Sequence, residues 1–63
     1  MNLEKNISIK MIEAGLKTKA ELYRKCQLSQ QTFDNILRRN DCKVSILIKI
    51  AEVLKCSVSD LVQ

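Results

Sequence analysis

Two helix-capping residues, Thr18 and Ser29, stand eleven positions apart, and each opens a short amphipathic segment. So close a pair leaves room only for two short helices and a tight turn. Thr18 precedes a predicted helix from Lys19 to Cys26, with Glu21 at its third position to complete a capping box. Leu22 and Cys26 fall on its inner side with Tyr23 beside them, while Lys19, Arg24 and Lys25 are left for the surface. Gln27 and Leu28 form the turn. Ser29 then caps a predicted helix from Gln30 to Arg38, whose Phe33, Ile36 and Leu37 share one sector at about 100° per residue. Helices of this length are marginal alone, so both apolar faces must close on the rest of the chain.

The remaining sequence supplies those partners. Leu3, Ile7, Met11 and Ala14 recur at helical spacing and predict a helix over Leu3 to Ala14. A left-handed Gly15 closes it, and Leu16 folds back onto the core. After a loop from Arg39 to Lys43, in which Asn40 and Asp41 are turn formers, a fourth helix is predicted over Val44 to Leu54. Its buried stripe is Val44, Leu47, Ile50, Ala51 and Leu54. Ile46, Ile48 and Val53 widen the apolar arc past one face, which implies either an enclosed helix or a surface left for a partner. Ser57 caps a last turn, Val58 to Val62, whose Leu61 and Val62 cover the end of the core. With no Pro and a single Gly to punctuate 63 residues, the expected architecture is one all-α domain, residues 1–63, of short helices with short connections.

The net charge of +4 is unevenly placed. Between Lys17 and Lys43 seven cations (Lys17, Lys19, Arg24, Lys25, Arg38, Arg39, Lys43) face three acids (Glu21, Asp34, Asp41), while the rest of the chain has four of each. All of the excess therefore lies on the paired helices and the loop after them. A local positive field of this kind favours a polyanion such as nucleic acid. The outward face of the 30–38 segment agrees. Gln31, Asn35 and Arg38 lie opposite its apolar sector, flanked by Gln30, Asp34 and Arg39. A merely solvated helix is better filled with Glu and Lys, which have higher helix propensity. Amides and arginines are the side chains that read base edges, and Thr can meet a thymine methyl. The pattern predicts a helix-turn-helix over about 18–39, with the 30–38 helix entering the major groove of double-stranded DNA.

Other classes find little support. Cys26, Cys42 and Cys56 are far apart, odd in number and unaccompanied by any His, so no metal or other cofactor is expected. Cys26 and Cys56 occupy positions suited to a small apolar side chain, and free thiols suit a reducing, cytoplasmic setting. The longest apolar run, Ile46 to Ile48, is far too short for a membrane span, and no signal peptide is expected. Without a nucleophile–base spacing or a phosphate loop, neither an enzyme nor a small-molecule site is expected.

Three runs then carry a family likeness: Ala-Glu-Leu at 20–22, Leu-Ser-Gln-Gln-Thr-Phe at 28–33, and Ile-Ala-Glu-Val-Leu-Lys-Cys-Ser-Val-Ser-Asp-Leu at 50–61. In order and spacing they resemble the Cro/repressor-type helix-turn-helix family of bacterial and phage regulators, from about Ile7 to Val62. The resemblance implies a compact five-helix bundle of the lambda-repressor-like type that binds operator DNA, usually as a two-fold dimer. By position it implies base contacts from Gln30, Gln31 and Thr32, with Asn35 reaching a base edge or the neighbouring phosphate. It implies phosphate contacts from Thr18 and Lys19, where backbone N–H groups and the helix dipole assist. Arg38, Asn40 and Lys43 would meet the flanking backbone.

The chain departs from the family pattern at several places. Gln27 stands where the turn usually has Gly, which costs about 1 kcal/mol if the backbone there is left-handed. Arg39 replaces a Gly after the third helix, and Lys43 replaces the Ser or Thr that caps the fourth; both changes would strengthen a phosphate grip. One extra residue falls near Gly15-Leu16-Lys17. The expected function is a small transcription regulator, a repressor, acting as a homodimer through the fourth and fifth helices. The alternative is a protein-interaction module on the same fold, antirepressor or antitoxin-like, without its own operator.

Overall fold

The computed structural model describes residues 2–63 and contains five helices. They are α1 Leu3–Ala14, α2 Lys19–Lys25, α3 Gln30–Arg39, α4 Val44–Leu54 and α5 Val58–Val62. Four of them start on a side-chain cap. Asn2, Thr18, Ser29 and Ser57 are all extended, and each accepts the N–H of the third helical residue. Lys43 starts α4 with no side-chain cap bond. The reciprocal capping box expected at Thr18 forms only on the Thr18 side, because Glu21 is turned to solvent. Among the described residues the full box closes at Ser57 and Asp60, where Asp60 Oδ2 accepts the Ser57 N–H at 3.1 Å.

The ends of α1 to α4 share one device. Gly15, Gln27, Asn40 and Lys55 are left-handed, with φ of 77°, 60°, 54° and 56°. At each, the left-handed residue donates its N–H to the carbonyl three back, and the next residue donates to the carbonyl five back. This is the Schellman geometry, which satisfies the free carbonyls of the last turn. Leu16, Leu28 and Cys56, the residues that follow, pack against the core as the motif requires; Asp41 is the polar exception. Two boundaries move by one residue as a result. α2 stops at Lys25 with Cys26 as its cap, and α3 continues through Arg39, so the left-handed position falls on Asn40.

One apolar cluster joins all five helices, with Leu3, Ile7, Leu22, Phe33, Ile50 and Leu61 fully enclosed. Phe33 meets Tyr23 with ring centroids 5.7 Å apart and a tilt of 44°, a favourable aromatic geometry. α1 packs on α4 and α5, and α2 packs on α3 and α4. Asn6 Nδ2 closes the far end by donating to Leu61 O at 2.8 Å and Gln63 O at 2.9 Å. Several expected core residues lie outside this cluster. Val44 is 68% exposed, and full burial on α4 begins at Leu47. Ala14 is exposed where the chain turns away at Gly15, and Val62 stays exposed at the last turn. Ile12, 78% exposed, lies on the side of α1 away from the core.

Candidate nucleic-acid interface

The two helices of the 18–39 unit are held by their apolar faces and capped at both starts. Leu22 and Cys26 anchor α2; Phe33 and Ile36 anchor α3, with Leu37 half-buried beside them. The opposite side of α3 is turned outward. Gln30, Gln31, Thr32, Arg38 and Arg39 are exposed, and Asn35 is half-buried. Arg38 and Arg39 fall in the last turn of α3, where cations complement the helix dipole.

Neighbouring side chains orient several of these groups. Ser29 Oγ accepts the Thr32 N–H at 3.1 Å, and its hydroxyl donates to Thr32 Oγ1 at 2.9 Å, which ties the Thr32 hydroxyl to the cap. Arg38 Nη2 donates to Asn35 Oδ1 at 2.8 Å. A guanidinium can only donate, so the amide oxygen of Asn35 is the atom that faces Arg38. At the start of α2, Lys19 Nζ lies 3.9 Å from the Glu4 carboxylate on α1, a half-exposed pair.

A groove of about 290 Å³ runs between α3, from Thr32 to Arg39, and the start of α4. It brings together Thr32, Asn35 and Arg39 from α3 with Lys43 at the start of α4, and Asp41, Cys42 and Ile46 complete its walls. Burial, with Asp41 beside it, pushes the Cys42 thiol above its ordinary range, so the thiol stays neutral near pH 7. The groove therefore presents two cations, an amide and a hydroxyl around one acid. Thr18 and Lys19 stand apart from it at the head of α2, and Gln30 and Gln31 stand at the head of α3. Asn40, exposed at the end of α3, accepts the Leu3 N–H on its Oδ1 at 2.8 Å.

Sequence reasoning did not foresee Glu4, Asp41 or Cys42 as neighbours of these residues. The Ser29–Thr32 bond was legible, since a cap and its third residue are always adjacent. The Glu4–Lys19 and Asn40–Leu3 contacts span separate helices and leave no local signature.

Among the described residues, no helix is long and apolar enough to cross a membrane, and no His, Cys, Asp or Glu side chains gather in a group that could hold a metal ion. No curated protein matches the chain, and no solved structure does. A family model, that of the Cro/C1-type HTH DNA-binding domain, matches residues 6–63. That match takes in all of α2 to α5 and most of α1, and the chain belongs to the Cro/C1-type helix-turn-helix family of DNA-binding domains.

Proposed function

We propose that the chain is a sequence-specific, double-stranded DNA-binding transcription repressor of the cytoplasm that lays α3 in the major groove. The observation that carries this reading is the outward amide and arginine face of α3, on a helix whose other side is locked by buried Phe33 and Ile36. Gln30, Gln31, Thr32 and Asn35 would meet base edges. Thr18, Lys19, Arg38, Arg39, Asn40 and Lys43 would meet phosphates and set the register. The molecule measures 23 × 23 × 18 Å, whereas successive major grooves on one side of the duplex lie about 34 Å apart. One copy therefore reaches one groove, and a two-fold site requires a homodimer. Val44 and Ile48 on α4 and Val62 on α5 support a pairing surface there, since all three remain exposed.

Selection of sites from random duplex DNA tests the reading, with a palindromic consensus as the expected result. Gln31→Ala should cost about 1–3 kcal/mol on the selected site and relax specificity at one position. Lys19→Ala should weaken every duplex alike and lower the salt slope by about one unit. Identical behaviour of the two variants on selected and random duplexes would sink the division of roles. A second reading, a protein-interaction module without its own operator, draws on the same exposed residues of α4. It gains if the purified chain binds no duplex even at low salt.

A further inference from the structure

The first helix begins with more N–H groups than its own cap can serve. An α-helix leaves its first four backbone donors without an intrahelical partner, and an N-cap side chain reaches only the second or third helical residue. In α1 the Asn2 carboxamide takes the third, the Lys5 N–H, at 3.0 Å. The first, the Leu3 N–H, is served by a residue 37 positions away, Asn40, whose Oδ1 accepts it at 2.8 Å. Leu3 is fully buried, so its N–H needs a partner within the protein.

Asn40 provides this bond from the left-handed end of α3, at φ 54° and ψ 40°, with its own N–H bonded back to Leu37 O at 3.3 Å. Its backbone completes the last turn of α3 while its side chain completes the first turn of α1. Conformation alone does not call for Asn at such a position. Gln27 and Lys55 hold the same left-handed place after α2 and α4, and their side chains make no hydrogen bond among the described residues.

We infer that Asn40 is a positioning residue for DNA recognition: by accepting the Leu3 N–H it holds the C-terminal end of α3, and with it Asn35, Arg38 and Arg39, in register with α1. This rests on α3 being the recognition helix. It gives Asn40 a duty besides the phosphate contact expected from the sequence. Asn suits both duties, because its amide tolerates the left-handed backbone and its carbonyl reaches the neighbouring helix. Glycine meets only the first.

Two variants separate the duties. Asn40→Gly keeps the backbone and deletes the acceptor; Asn40→Asp keeps the acceptor and adds a charge beside the start of α1, where the dipole favours it. In the DNA-free protein, N40G should speed Leu3 amide exchange about tenfold, since that N–H loses its protected partner. It should also turn the N–H vectors of residues 36–39, read by residual dipolar couplings, and N40D should restore both. On DNA, N40G should lower the ratio of affinity for a selected duplex over a random one by about fivefold, the scale of one impaired base contact. N40D should weaken both duplexes through its charge and return the ratio towards the parent value. Unchanged exchange and couplings in N40G overturn the inference. So does an equal loss on both duplexes with couplings unchanged, which marks a direct phosphate contact. A parent protein that prefers no duplex sinks the recognition reading and this role with it, while exchange and couplings still decide whether the tie exists.

Discussion

At the scale of single residues, the left-handed positions carry the clearest strain. Gln27 lies at φ 60° with its side chain unbonded among the described residues, so its Cβ pays the steric penalty without return. Gln27→Gly should stabilise the fold by about 1 kcal/mol and raise Tm by roughly 4–8 °C in a thermal melt. A fall in Tm would mean that the Gln27 side chain supports the turn. The same change at Asn40 should have the opposite sign, because the relief there is outweighed by the loss of the bond to Leu3. The conditional cost at Gln27 was legible from the missing turn glycine. That Asn40, rather than Arg39, takes the left-handed place was not, because the length of α3 decides it and helix ends slide by a residue.

At the scale of elements, α4 and α5 differ in how they begin. Lys43 leads into α4 with an extended backbone and no cap bond, although Arg39 and the groove lie beside it. Lys43→Ser should add a cap and about 1 kcal/mol of stability. The same change should weaken duplex binding by removing a cation from the groove, so melts and titrations should move in opposite directions. Parallel gains in both would remove Lys43 from the phosphate contacts. α5 starts on a full capping box, and the hydrogen bonds from Ser57 hold the Asp60 carboxyl below its ordinary value. A depressed folded pKa gives stability that is complete above the unfolded carboxylate value and fades as pH falls through the folded one. Amide signals of residues 58–62 should therefore broaden or shift in acid before those of α1. Asp60→Asn should remove that pH dependence; a persistent acid transition in the variant would place its origin elsewhere. All five helices were legible in the sequence to within one residue, because caps and periodicity act within a single turn.

At the scale of the whole molecule, what remains outside the core matters most. α4 shows Val44 68% and Ile48 44% exposed on one flank while its other side closes the core through Leu47, Ile50 and Leu54. If that flank pairs two copies, Ile48→Lys should move the sedimentation profile towards monomer and abolish cooperative binding to a palindromic duplex. Binding to an isolated half-site should survive, because α3 and its groove are untouched. An unchanged dimer would shift attention to Ile12 on α1, which is more exposed still. The apolar arc of α4 was visible in the sequence; which of its flanks the other helices cover was not. That depends on how α1, α2 and α5 pack on α4.

The sequence alone determined where each helix starts, where it stops to within one residue, and which side of α3 carries amides and arginines, since those properties are written within four residues of each position. Tertiary packing decided that Asn40 serves Leu3, that Asn6 serves Leu61 and Gln63, and that Arg39 and Lys43 share one groove. The physical reason is that such contacts depend on the angle and offset at which separate helices close on a common core, and no local period in the chain encodes either.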